Sequence, residues 1–284
     1  TRLRAALHDG EFALLHQPVV CLESGRIISV EAQARWRSSQ GVLFTPAEFL
    51  RVAEDSDRTQ ELGRWILEEA LEQAAERTAT GLAVPVAVRM SARRLLDRSM
   101  PLGSIEALLT RHGLPSGALL IELSDTDPKI SLDELERRLS ALRRLGVRIA
   151  LDGFGSGHAA ITALRRLPVD VLKLDRGLVE GVVESARLHK ITSGLLRIAT
   201  DLGLQSVADG LDLPEQVVAL QEVDSRGRTD DPFALLAKAV GNHSVDARSI
   251  VTRDGDYGQV LLSRSDVGDG DAGKLAQRRR QLHG

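Results

Sequence analysis

This sequence contains very little cysteine: Cys21 is the only one in 284 residues. A single cysteine excludes a disulfide framework within the chain, so we expect a reducing compartment, namely the cytoplasm. Runs of eighteen or more apolar residues and a charged-then-apolar leader are also absent, so the sequence predicts neither a transmembrane helix nor a secretion signal. A net charge of −3 gives no overall positive field, so nucleic acid and anionic membranes are not expected partners.

Glutamate is absent after Glu222, and the composition changes at about Asp224. Residues 1–224 are expected to form the folded body, since 43% of the chain is hydrophobic and can bury a sizeable core. Residues 225–284 are rich in Arg, Asp, Gly and Ser, and we expect them to be poorly ordered. Because the chain begins at Thr1 rather than Met, we expect a fragment or processed chain with further domains upstream.

Short apolar runs alternate with amphipathic stretches through the folded body. The runs are β-branched and mostly do not alternate with polar residues, which is typical of strands buried on both faces. Repeated strand–helix units predict a parallel sheet covered by helices, and a long series favours a barrel while leaving an open sheet as the alternative. Ser131 is predicted to cap a helix, and Trp36 and Trp65 are interpreted as core residues.

Six acidic residues lie near the carboxyl ends of predicted strands, where barrel enzymes place their active sites. They are Glu31, Glu122, Asp125, Asp152, Asp175 and Asp209. Such a ring of carboxylates could hold Mg²⁺ or Mn²⁺, which could activate water for a phosphoryl displacement. The alternative for each residue is a structural role, in which the carboxylate caps a helix or pairs with an arginine.

Seven motifs carry a resemblance to a known family. They are EAQAR (31–35), TPAEFLRVAE (45–54), VRMSARRL (88–95), IELSD (121–125), LDGFGSG (151–157), LPVDVLKLDR (167–176) and VADGLDLPEQ (207–216). In this order they resemble motifs of the EAL domain family, over about residues 5–222. The resemblance implies an α/β fold, the modified (β/α)₈ TIM barrel with an antiparallel first strand. It also implies the ligand cyclic di-GMP, which active members hydrolyse to pGpG with two metal ions.

The resemblance assigns roles to individual residues. Those at metal-binding positions are Glu31, Glu122, Asp152 and Asp209. Lys173 matches the lysine that orients the attacking water, so it forms the expected catalytic group with Glu31 and Asp152. Arg35 matches an arginine that contacts the ligand's phosphate, and Lys173 is expected at the phosphate too. Asp125 replaces the glutamate that steadies the loop carrying the aspartate pair.

Several positions depart from the family pattern. Arg89 occupies the place of a metal-binding asparagine, and Gly153 replaces the second aspartate of the pair. Asp209 replaces a longer glutamate, and Gln33 replaces the leucine of the EAL signature. A guanidinium cannot ligate a metal, so we expect Arg89 to substitute for the ion's charge among buried carboxylates and to face the ligand. We therefore do not expect two-metal catalysis, and we expect Mg²⁺ or Mn²⁺ to bind weakly or not at all.

Three functions stay open at this level. The leading prediction is a degenerate, non-hydrolysing EAL domain that regulates bacterial signal transduction by binding cyclic di-GMP or a partner protein. The alternatives are a weak metal-dependent phosphodiesterase and a protein-interaction scaffold that has lost the nucleotide. An attached signalling domain is expected, and a homodimer is an open alternative. Closure of the barrel is also open, because residues 258–263 are the only late candidate for its last strand.

Overall fold

The computed structural model describes residues 2–21, 26–39, 41–44, 49, 59–124, 129–155 and 159–210. Its strands are β1 Phe12–Val20, β2 Ile27–Arg37, β3 Leu43–Phe44, β4 Val86–Met90, β5 Leu119–Leu123, β6 Arg148–Phe154, β7 Val171–Leu174 and β8 Gln205–Ala208. Its helices are α1 Arg2–His8, α2 Thr59–Ala79, α3 Ala92–Leu95, α4 Leu102–Arg111, α5 Leu132–Arg144, α6 Ala159–Arg166, α7 Arg176–Glu180 and α8 Ala186–Asp201. The domain boundary expected near Asp224, the segment 225–284 and the late strand 258–263 lie outside the described residues.

One sheet organises the described chain, in the order β1-β2-β4-β5-β6-β7-β8, with β3 beside β2. β1 runs antiparallel to β2, and the strands from β2 to β8 on the main path are parallel to one another. This confirms the predicted α/β, TIM-barrel-like fold with an antiparallel first strand. Within the described residues β1 and β8 form the two edges of the sheet.

Most of the parallel strands are buried on both faces, as their largely apolar runs predict, whereas the edge strand β8 is partly exposed. All five residues of β5 and all four of β7 are buried. Helices cover the outer face, where the main core forms, while a smaller apolar cluster lies on the inner face. That inner cluster consists of Ala87, Leu120, Ala150 and Val171, with Val207 packed against it.

Local capping fixes where several helices begin. The Ser131 hydroxyl accepts a hydrogen bond from the backbone N–H of Glu134, which confirms Ser131 as the cap of α5. Ser185 caps α8 in the same way through the N–H of Leu188. No described helix has the length and apolar character needed to cross a membrane.

Aromatic residues pack where β1 and β2 meet α2. The rings of Phe12 and Trp36 are stacked with centroids 5.3 Å apart, and Phe44 stacks on Trp36 at 4.5 Å. Phe12 also contacts Trp65 of α2, with centroids 5.7 Å apart. The buried indole of Trp36 donates a hydrogen bond to Glu11 at 2.8 Å, which satisfies its one polar group. Trp36 is a core residue, as interpreted from the sequence, and Trp65 is partly buried and packs against the core.

Candidate functional site

The period-two geometry of the strands places the charged residues in one layer. Ala87, Leu120, Ala150 and Val171 belong to the inner apolar cluster, and Arg89, Glu122, Asp152 and Lys173 each follow one of them by two residues. Alternate residues of a strand point to the same face, so these four side chains share the inner face with the cluster. The charged layer therefore lies directly above the apolar one, at the carboxyl ends of the parallel strands. Enzymes with barrel folds use this end for chemistry.

Lys173 lies at the centre of the layer. Its Nζ donates a hydrogen bond of 2.6 Å to Oε2 of Glu31 on β2 and one of 3.4 Å to Oε2 of Glu122 on β5. All three side chains are buried, and the exposed fraction of the Lys173 side chain is 7%. Burial removes water that would otherwise solvate these charges, so the ammonium and the carboxylates depend on one another.

The proton affinities follow from this shared burial. Desolvation, together with the negative charge of Glu31, raises the pKa of the Glu122 carboxyl to about 8, although Lys173 opposes the rise. Burial alone would lower the pKa of Lys173, but attraction by Glu122 and Glu31 outweighs it and raises the pKa above its ordinary value. Lys173 therefore keeps its proton at neutral pH and is a cation rather than a base.

The raised pKa of Glu122 predicts an unusual dependence of stability on pH. A carboxyl group whose pKa is higher in the folded than in the unfolded chain stabilises the fold below its unfolded pKa, 4.5, and that contribution is lost as pH rises through about 8. We expect the free energy of unfolding to fall by about 1–2 kcal/mol between pH 6.5 and 8, as measured by urea denaturation. Most of the opposing effect of His16 lies below this window, since burial and Arg77 lower its pKa from 6.5 to about 4.

Variants at two glutamates check this expectation. Glu122→Gln should flatten the slope between pH 6.5 and 8, because the amide does not titrate in that range. Glu106→Gln, at an exposed position on α4, should keep the slope of the parent. Equal slopes for all three proteins would show that Glu122 titrates at its ordinary pKa.

Arg89 and Asp152 form the second charged contact. Arg89 Nη2 lies 2.6 Å from Asp152 Oδ2, and the exposed fractions of the two side chains are 60% and 7%. The guanidinium is thus more exposed than we expected from the sequence, although Arg89 pairs in the strand register with the buried Glu122. Its orientation does not produce a hydrogen bond, so this buried oxygen has an ionic contact alone.

The backbone at Gly153 explains how Asp152 is held. Gly153 has a φ of +63°, in the left-handed region that favours glycine, and its N–H donates to Asp152 Oδ1 at 2.8 Å. The pairing of β6 with β7 shifts between Leu151 and Phe154 at the same place. Asp152 lies within this irregular stretch, and its other carboxylate oxygen, Oδ2, is the one that contacts Arg89. No carboxylate stands at position 153 to hold a second metal.

The other acidic residues divide between the site and the scaffold. Asp209 contributes to the raised pKa of Lys173, which places its charge near the layer, and its Oδ1 accepts the N–H of Gly210 at 2.8 Å. Asp175 instead caps α7, accepting the N–H of Gly177 at 2.9 Å, so the structural alternative holds there. Asp125 lies outside the described residues.

A polar chain beside the layer includes a residue that sequence reasoning missed. Arg35 Nη2 donates to Gln33 Oε1 at 2.8 Å, and Gln33 Nε2 donates to Gln17 Oε1 at 2.5 Å. Gln17 pairs with Glu31 across the β1–β2 ladder, so it enters the site from the antiparallel strand. The available signal was a glutamine in the strand that precedes the EAQAR motif.

The donor set does not fit a two-metal centre. Among the residues that the structure describes, no group of three or more Asp, Glu, His or Cys side chains is placed to hold a metal ion. Glu31 and Glu122 both contact Lys173, and Asp152 contacts Arg89, so a cation of the chain stands against each of these carboxylates. A guanidinium offers no lone pair to a metal, and Gly153 offers no side-chain oxygen.

Several curated proteins are similar in sequence to most of this chain. The cyclic di-GMP phosphodiesterase NbdA of Pseudomonas aeruginosa is 32% identical over 221 residues, which cover 78% of this chain and 28% of NbdA. The uncharacterized protein Mb1392c of Mycobacterium bovis is 35% identical over 229 residues, covering 78% of this chain and 74% of that protein. The chain spans 28% of NbdA and 27% of the signaling protein YkoW of Bacillus subtilis, to which it is 30% identical over 221 residues.

Solved structures and a family model agree with this similarity. The cyclic di-GMP complex of the phosphodiesterase PaMucR superposes with a TM-score of 0.72 and 32% identity, covering 78% of this chain and 90% of that one. The FimX EAL domain of Xanthomonas citri has the same fold, with a TM-score of 0.71, 24% identity, and coverage of 78% and 86%. The family model described as EAL domain matches residues 1–226. The chain therefore belongs to the EAL domain family, the phosphodiesterase-like domains of cyclic di-GMP signalling.

Proposed function

We propose that this chain is a regulatory EAL domain that binds cyclic di-GMP and hydrolyses it very slowly or not at all. The proposal is based on one observation: cationic side chains of the chain itself neutralise the carboxylates of the site. Lys173 contacts both Glu31 and Glu122, and Arg89 contacts Asp152. A domain whose carboxylates are balanced by its own cations does not depend on metal ions to form its site.

Impaired hydrolysis follows from the groups that the site lacks or has changed. A two-metal mechanism activates water and clamps the attacking and leaving oxygens, and it needs shared carboxylate ligands. Gly153 has no side-chain oxygen that could bridge two metal ions. Arg89 brings a positive charge to the position where the family pattern has a neutral, metal-binding asparagine. Lys173 holds its proton because its pKa is raised, so it orients groups but does not take a proton from water.

Retained binding is supported by the cations at the mouth of the barrel. Arg35 is half-buried on the same face of β2 as Glu31, and burial lowers its pKa while Glu31 raises it. A guanidinium and an ammonium on one face suit the two phosphates of cyclic di-GMP. PaMucR, at 32% identity, was solved as a cyclic di-GMP complex. The signal would pass to an attached domain or to a partner protein.

Calorimetric titration with cyclic di-GMP tests binding. We expect the parent to bind with a Kd that changes less than about twofold when Mg²⁺ is added, since the chain already supplies the balancing charge. Arg35→Ala should weaken binding by about tenfold or more, the usual loss for a charge-assisted hydrogen bond to phosphate. Arg37→Ala, at an exposed position on the same strand, should bind like the parent.

A product assay tests the hydrolytic part. With Mg²⁺ or Mn²⁺, the parent should convert cyclic di-GMP to pGpG no faster than Glu31→Ala. Metal-dependent turnover clearly above that variant would favour the alternative of a weak phosphodiesterase. Absence of both binding and turnover would favour a protein-interaction scaffold.

A further inference from the structure

Gln33 stands at the position of the signature leucine and contacts Arg35. We propose that Gln33 is a positioning residue, which fixes the guanidinium of Arg35 for the ligand's phosphate and is itself anchored by Gln17. The part concerning the ligand rests on the proposed binding of cyclic di-GMP. The part concerning the orientation of Arg35 rests on the contacts of the chain alone.

The contacts form a continuous chain across the β1–β2 hairpin. Arg35 Nη2 donates to Gln33 Oε1 at 2.8 Å, and Arg35 Nη1 donates to the backbone carbonyl of Ala34 at 3.0 Å. Gln33 Nε2 donates to Gln17 Oε1 at 2.5 Å. Both ends of the Gln33 amide are therefore engaged, one with the strand partner and one with the arginine.

The register of the β1–β2 hairpin explains why the side chains of Gln17, Gln33 and Arg35 lie close together. Glu31, Gln33 and Arg35 alternate along β2 and so share one face. Across the ladder Gln17 pairs with Glu31, and Leu15 pairs with Gln33, so Gln17 is a diagonal neighbour of Gln33. Diagonal neighbours on one face of an antiparallel pair lie within reach of long side chains.

A glutamine and a leucine have opposite consequences for Arg35. The glutamine offers an acceptor to Nη2, whereas a leucine offers none and would leave the guanidinium to sample other rotamers. The bonds to Gln33 and Ala34 account for two of the five guanidinium N–H groups, which leaves the other donors for a phosphate. Fixing the side chain before binding also reduces the conformational entropy that binding must remove.

Chemical modification of Arg35 tests the orientation without any ligand. The reaction of each arginine with phenylglyoxal is followed by mass spectrometry after digestion at glutamates, with exposed Arg37 as the internal reference. In Gln33→Leu the rate at Arg35 relative to Arg37 should rise about threefold or more, because the acceptor for Nη2 is gone. Gln33→Glu keeps an acceptor and should restore protection, while Gln17→Leu should give an intermediate rate.

Each outcome decides the proposal. An unchanged rate in Gln33→Leu would overturn it, as would equal rates in Gln33→Leu and Gln33→Glu. Circular dichroism melting curves of the variants separate a loss of positioning from a loss of folding, since unfolding raises the rates of all buried arginines together.

Affinity measurements then test the consequence for the ligand. Gln33→Leu should raise the Kd for cyclic di-GMP roughly fivefold, and it should have no further effect in an Arg35→Ala background. Unchanged affinity in Gln33→Leu, with the parent binding, would overturn the role in recognition. If the parent itself does not bind, the proposed function fails, and the modification rates still decide whether Gln33 positions Arg35.

Discussion

Replacing Lys173 with methionine is expected to lower the free energy of unfolding by about 3–5 kcal/mol, the usual loss when one member of a buried ion pair is removed. The ammonium contacts Glu31 at 2.6 Å and Glu122 at 3.4 Å, and all three side chains are buried. Without it the two carboxyl groups face each other with little water. Urea denaturation at neutral pH measures the loss, and Lys190→Met, at an exposed position on α8, is the matched control.

The dependence on pH distinguishes a lost charge from a lost contact. Protonation of Glu122 removes part of the repulsion, so the destabilisation by Lys173→Met should be smaller at about pH 5 than at about pH 8. A methionine that merely packs poorly would destabilise the domain equally at both. A loss below about 1 kcal/mol at neutral pH would mean that water reaches the three groups and screens them.

Restoring two of the altered metal positions together, Arg89 and Gly153, is expected to create metal binding. In Arg89→Asn with Gly153→Asp, the guanidinium is replaced by an amide oxygen and a second carboxylate returns. Millimolar Mn²⁺ should then raise the Tm by several degrees, since a ligand at about tenfold its Kd adds about 1.4 kcal/mol to stability. The Tm of the parent should move by less than about one degree.

Single variants resolve the contribution of each position. Arg89→Ala should cost about 1–3 kcal/mol, because it leaves the buried Asp152 oxygen without a charge partner while the exposed arginine itself loses little. Gly153→Asp alone should be mildly destabilising, since its φ of +63° is tolerated by aspartate less well than by glycine. Arg111→Asn, at the exposed end of α4, controls for loss of positive charge. A double variant that melts identically with and without Mn²⁺ would contradict the assignment of the site.

Much of the scaffold could be predicted because its signals are local and periodic. Apolar runs such as residues 118–121 have no polar face to leave in water, which predicts central strands. Ser131 precedes a helix at the spacing of a cap, and its hydroxyl makes the expected bond. The gathering of charged residues at one end follows from parallel strands, whose carboxyl ends meet.

The partners within that layer could not be predicted. Strand periodicity places Arg89, Glu122, Asp152 and Lys173 on one face, but which cation meets which carboxylate depends on side-chain reach and on the shift at Gly153. The link from Gln17 to Gln33 depends on the register of the hairpin, and a slip of one residue would send Gln17 to the other face. Asp175 lies near the carboxyl end of a strand as Asp152 does, and only the start of α7 at the next residue makes it a cap.

Because the side chains of Arg89 and Lys173 differ in exposure, a change in ionic strength should affect their ion pairs differently. Dissolved salt screens charges that water reaches and leaves enclosed ones nearly untouched. Added salt should therefore loosen the largely exposed Arg89 from Asp152 while the enclosed Lys173 stays bound to Glu31 and Glu122. A rise in salt would free the rim arginine for an incoming anion and at the same time weaken the field that attracts that anion. Salt therefore acts on the two ion-pair groups separately, although Asp152 and Lys173 lie on the neighbouring strands β6 and β7.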